Sequence, residues 1–178
     1  MKLAFYAALL AISLSLAPLK VLAATSSGPQ SYMRLGVGVA GSAVRSGGEV
    51  KTFGFGYSDR LMDAKALSFL VYQYEAGAWI DTAGEGRKSS AYGSVEIGLR
   101  VNAGPFQVSS LHGPGIITTR DSYLGSVPQF FHDVCLGLQD DDTKAGIGLC
   151  YKHISNAGLL SKINKGRDFM TLKLSIPY

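Results

Sequence analysis

The 178-residue sequence predicts an all-β fold, an eight-stranded antiparallel transmembrane β-barrel of the outer membrane, on three observations. Behind an apolar leader, the chain runs in short stretches that alternate apolar residues with polar or small ones, the period of a strand with two unlike faces. Gly, Asp, Asn and Ser separate these stretches, and the chain carries 22 Gly, 9 Tyr, 8 Phe and 1 Trp, a composition suited to tight turns and aromatic girdles. No segment after the leader reaches the roughly 18 consecutive apolar residues of a membrane helix.

The leader comes first. Met1 and Lys2 precede an apolar stretch from Leu3 to Pro18, and Val21-Leu22-Ala23 offers small residues for signal-peptidase cleavage. Residues 1–23 therefore read as a secretory signal peptide, with the cut near Ala23 or Ala24, and residues 24–178 as one barrel domain. A single membrane helix is the competing reading, but the apolar run is short and is broken by Pro18 and Lys20. No Cys follows the cut, which argues against a lipoprotein anchor. The formal net charge of +4 includes Lys2 and Lys20; taking these two away leaves about +2, too little to suggest a nucleic-acid partner.

Strand one, over 32–42, sets Met33, Leu35, Val37 and Val39 against Tyr32, Arg34, Gly36, Gly38 and Ala40. Strand two, over 50–58, sets Phe53, Phe55 and Tyr57 against Gly54, Gly56 and Ser58. Strand three, over 66–79, is apolar on both sides and shows no clear faces; a short helical turn is expected before it, near 60–65. Strand four has the clearest alternation. Ala91, Val95, Ile97, Leu99 and Val101 face outward, and Tyr92, Ser94, Glu96, Gly98 and Arg100 face the interior, where polar side chains belong in this architecture. Asn102-Ala103-Gly104-Pro105 is a turn. Strand five is expected over 106–113, with Pro114 ending it or sitting in a bulge, and a longer loop over 117–128 follows.

Strand six, over 129–138, turns Phe130, Val134, Leu136 and Leu138 outward and Phe131, Asp133, Cys135 and Gly137 inward. With Asp142 and Thr143 central to the next turn, Cys135 falls opposite Cys150, both inward. A cross-strand disulfide and a pair of buried free thiols are both compatible with this register.

Strand seven places bulkier residues at odd positions, Ile147, Leu149 and Tyr151, and His153 and Ser155 continue that outer face, about 6.5–7 Å apart along the backbone. Lys152 and Ile154 take the other face. After the loop, Asp168, Met170, Leu172, Leu174, Ile176 and Tyr178 share one parity. Asp168 can therefore meet His153 and Ser155 on one surface of a hairpin, which assembles a base, a nucleophile and an acid. An even strand number with a periplasmic N-terminus puts the last loop outside the cell, and the terminal Tyr178 suits an assembly signal. No metal-ligand set is visible; His112 and His132 are too isolated in sequence to suggest one and read as structural or interfacial.

At His153-Ile154-Ser155-Asn156-Ala157-Gly158, followed by Asn164-Lys165-Gly166-Arg167-Asp168, the sequence resembles the PagL-type lipid A 3-O-deacylases, a family often labelled acyloxyacyl hydrolases. The resemblance implies an eight-stranded barrel with Ser155 as nucleophile, His153 as general base and Asp168 as its orienter, on the lipid-facing side. The family's acid is usually Glu; this chain has the shorter Asp, and the preceding loop needs a small insertion to align. The Asn156 side chain, or backbone N–H groups from Asn156 to Gly158, would serve the oxyanion. Lys152, Lys162, Lys165 and Arg167 cluster around the same loop as contacts for anionic headgroups, with a solvated basic loop as the alternative. The implied partner is lipid A, or lipopolysaccharide, in the outer leaflet, and no cofactor is implied. Monomer and homodimer are both compatible with the sequence. The rivals are another outer-membrane lipid esterase or acyltransferase, and a non-enzymatic barrel resembling OmpA or OmpX.

Overall fold

The computed structural model describes residues 29–40, 50–61, 69–81, 88–156, 158–159, 161–163 and 165–177. Eight antiparallel strands pair in chain order and close on themselves: β1 (Gln30–Ala40), β2 (Val50–Arg60), β3 (Leu70–Asp81), β4 (Ser90–Ala103), β5 (Phe106–Ile117), β6 (Pro128–Gln139), β7 (Gly146–Ser155) and β8 (Arg167–Pro177). Closure is made by β1 against β8, from Gln30 opposite Pro177 to Ala40 opposite Arg167. A closed wall leaves no unpaired strand edge, which is the condition for crossing lipid with strands. The end carrying the Gly104-Pro105 turn is the turn end; the end carrying the β5–β6 and β7–β8 connections is the loop end.

The alternation expected from the sequence is realised as apolar outside and polar inside. Phe55, Ile97, Leu136, Leu149 and Ile176 stand exposed on the outer wall. The middle of the interior is an ion-pair network. Arg34 reaches Glu75 at 3.0 Å and bonds Asp133, while Lys152 Nζ lies 3.1 Å from both Glu75 and Glu96. Tyr32 and Tyr92 donate their hydroxyls to Glu75 at 2.9 and 2.7 Å. Charges out of water persist only when paired and hydrogen-bonded, and this network meets both conditions. Toward the loop end the filling becomes apolar, with Trp79 stacked on Tyr92 at 6.0 Å and Phe131, Ile154, Phe169 and Leu124 around them. The Tyr92 ring needs Gly77 as its neighbour, because a Cβ there would lie 2.6 Å from the Tyr92 hydroxyl.

Three elements differ from their sequence-based expectations. β3 runs over Leu70–Asp81, with Val71, Gln73, Glu75 and Trp79 inward and Tyr74 and Ile80 outward. Its faces are obscured in sequence because small residues at 76–78 follow one another. β5 passes straight through Pro114 to Ile117 without a shift of register. The ladder to β4 is interrupted beside Val95 and Glu96, so the missing proline N–H falls in that gap, while pairing to β6 stays continuous through Pro114 and Phe130. β2 extends to Arg60; most of the helical turn expected over 60–65, the signal peptide and Tyr178 lie outside the described residues.

Candidate active site

β7 and β8 form the hairpin that carries the site. Their register sets His153 opposite Asp168 and Tyr151 opposite Met170, all with outward parity. Opposed residues on one face bring their side chains together, and His153 Nδ1 meets Asp168 Oδ1 at 2.6 Å. The Tyr151 hydroxyl donates to the same oxygen, also at 2.6 Å. One carboxylate oxygen thus holds the imidazole from one side and is itself held by a phenol. A carboxylate bonded to Nδ1 fixes the tautomer in which Nε2 carries the lone pair, the form a general base needs.

Gly166 closes the other side of the ring. Its φ of +72° belongs to the left-handed region, and an added Cβ would stand 2.7 Å from His153 Cε1 and 3.4 Å from Nε2. Only glycine combines that backbone turn with room for the imidazole. Ser155 is the last residue of β7, on the same outer face as His153 and one strand repeat beyond it. Among the sequence-predicted triad residues, all three therefore share one surface at the loop end.

The turn after Ser155 is tied down from inside. Asn156 is fully buried; its Nδ2 donates to Ser126 Oγ at 3.3 Å and to the Ile163 carbonyl at 3.1 Å, and its Oδ1 accepts the Gly158 N–H at 2.8 Å. The side-chain oxyanion role expected for Asn156 is corrected by this geometry, because its amide pins the β5–β6 and β7–β8 loops together. Gly158 takes the positive φ of the turn, +75°, with its N–H bonded to Asn156.

Two of the four expected headgroup cations are also corrected. Lys152 is buried in the interior network between Glu75 and Glu96, as its even position on β7 requires. Arg167 is buried at the barrel mouth, where it pairs with Asp81 at 2.9 Å and with Asp121, between the rings of Trp79 and Tyr123. Lys162 and Lys165 are exposed, and Lys165 Nζ lies over the Tyr123 ring at 5.2 Å. Cys135 and Cys150 face each other across β6 and β7 and are joined as a disulfide in the structure. Asp133 lies beside them, but the bridged sulfurs and the Arg34 contact leave this cluster no metal-binding character.

Sequence reasoning missed Tyr151 and Gly166. The signal for Tyr151 was present in its parity, which is that of His153; Gly166 sits in the Asn-Lys-Gly-Arg-Asp motif but has no side chain to draw notice.

The chain matches a family model described as lipid A 3-O-deacylase (PagL) over residues 70–177, a span that runs from β3 to β8 and includes the whole hairpin site. Among solved structures it is similar to one described as the crystal structure of the outer membrane enzyme PagL. That likeness has a TM-score of 0.60 at 18% sequence identity and covers 84% of this chain and 99% of that chain. At such identity the likeness speaks for the fold. No curated protein matches the chain.

Proposed function

The chain belongs to the lipid A 3-O-deacylase family, and from that premise we propose that it cleaves the 3-linked acyl ester of lipid A by serine-type hydrolysis, with Ser155 as nucleophile, His153 as general base and Asp168 as the acid that orients it. The observation that carries this reading is the 2.6 Å contact of His153 Nδ1 with Asp168 on the lipid-facing wall, with Ser155 on the same face.

In this mechanism His153 Nε2 takes the Ser155 proton as Oγ attacks the ester carbonyl. The tetrahedral intermediate collapses as the imidazolium returns that proton to the leaving sugar oxygen, and the acyl chain stays on Ser155. Water, deprotonated by His153, then opens the acyl-enzyme and releases the free fatty acid. Asp168 holds the imidazole and balances its transient charge throughout. In the structure the Gly158 and Leu159 N–H groups are bonded to the Asn156 side-chain oxygen and carbonyl, so these two serve the oxyanion only when the turn after Ser155 rearranges on substrate binding. Lys162 and Lys165, exposed on the same loop, supply cations for the headgroup phosphates.

The signal peptide over 1–23 and the extracellular placement of the β7–β8 loop belong to this reading. The barrel's filling favours it over an acyltransferase with an internal acyl pocket: Trp79, Tyr92, Phe131 and Ile154 occupy the interior at the level of the site. The test is hydrolysis of lipid A and of a phospholipid by the purified barrel. Release of the 3-linked chain from lipid A, lost in Ser155→Ala and His153→Ala and weakened in Asp168→Ala, is the expected result; full activity in Ser155→Ala overturns it.

A further inference from the structure

His112, His132 and His153, all the histidines of the chain, lie in one lateral row across β5, β6 and β7. His112 is opposite His132, His132 is opposite His153, and the row ends on Asp168. The His112 and His132 rings lie 6.1 Å apart and nearly parallel, at 15°. Positions scattered through the sequence become one polar track on the outer wall.

That track lies within the apolar band. On β5, the face of His112 carries Pro114 and then the exposed Ile116 toward the loop end, and Ser110 and then the exposed Val108 toward the turn end. On β6, the exposed Phe130 and Leu136 flank His132 in the same way. Among the described residues neither His112 nor His132 makes a hydrogen bond; their ring contact is with each other. A polar ring facing lipid without a partner is unfavourable, and a ligand group that hydrogen-bonds it relieves that cost.

Resting on the Ser155–His153 reading, we propose that His132, backed by His112, forms a hydrogen-bonding subsite for an oxygen substituent on the acyl chain being removed, and so selects a 3-hydroxyacyl ester over an unsubstituted one. Ser155 is opposite Phe130, which makes His132 its diagonal neighbour one repeat deeper in the membrane. Diagonal pairs have Cα atoms about 7–8 Å apart, within reach of a long side chain. An acyl chain whose carbonyl sits at Ser155 and whose tail runs toward the turn end passes beside His132 within its first carbons. The third carbon is two bonds past the carbonyl carbon, and an oxygen on it is three. A neutral imidazole offers one donor and one acceptor, and a hydroxyl offers both in return. A phosphate suits the track less well, because Ile116 and Phe130 separate it from the headgroup level.

The experiment compares two synthetic 3-O-acylated glucosamine lipids of equal chain length, one carrying a 3-hydroxyacyl and one an unsubstituted acyl chain, with the full barrel refolded in detergent. The intact protein is expected to favour the hydroxylated ester about tenfold in kcat/KM, the effect of one gained hydrogen bond. His132→Leu brings that ratio to about one, and His112→Leu lowers it. His132→Phe, which keeps a ring without nitrogens, gives the same readout should the leucine variant not refold. A ratio of one in the intact protein, or an undiminished ratio in the His132 variants, overturns the proposal. Hydrolysis of both lipids by Ser155→Ala would instead overturn the triad itself, so the two failures are distinct.

Discussion

Tyr151 donates its hydroxyl to Asp168 at 2.6 Å, on the same oxygen that His153 Nδ1 meets at 2.6 Å. Asp is the shorter acid, and a second donor limits the orientations its carboxylate can take. The phenol therefore acts on the imidazole through the carboxylate.

Tyr151→Phe is expected to lower kcat about tenfold to a hundredfold with little change in KM, the range for losing a hydrogen bond to a charged group. Steady-state kinetics with lipid A in detergent check this. A rise in KM at constant kcat would make Tyr151 a substrate contact instead.

Gly166→Ala should cost activity without unfolding the barrel. The new Cβ meets the His153 ring at 2.7 Å and the left-handed φ of +72° is strained for alanine, by about 1–2 kcal/mol. The barrel's heat-modifiable migration in gels should persist while kcat falls by about tenfold or more.

Lys152→Met should act on stability. It leaves Glu75 and Glu96 without the cation they share inside the barrel, a loss of about 3–5 kcal/mol for a broken buried pair. The urea midpoint is expected to fall while KM for lipid A holds. The opposite pattern would return Lys152 to the headgroup site.

Local alternation made most of the fold legible. β4, β6, β7 and β8 each present one apolar and one polar or small face, and their faces follow directly. β3 hid its faces behind Ala76-Gly77-Ala78, and β5 concealed three of its residues behind a proline whose missing donor falls in a gap of the ladder. The same alternation carried the site as far as one hairpin allows, to His153, Ser155 and Asp168. Lys152 and Arg167 were grouped with the loop cations by nearness in sequence, although parity already turned Lys152 inward. The row from His112 to His153 needed the register of three strands, which no local pattern contains.

The most direct test is mass spectrometry of lipid A from outer membranes that carry this protein, beside membranes that carry Ser155→Ala, repeated after detergent extraction with the barrel shown to be folded. Loss of one 3-linked acyl chain only where Ser155 is intact is the predicted result. Equal loss in both, or intact lipid A in both even in detergent, would contradict it.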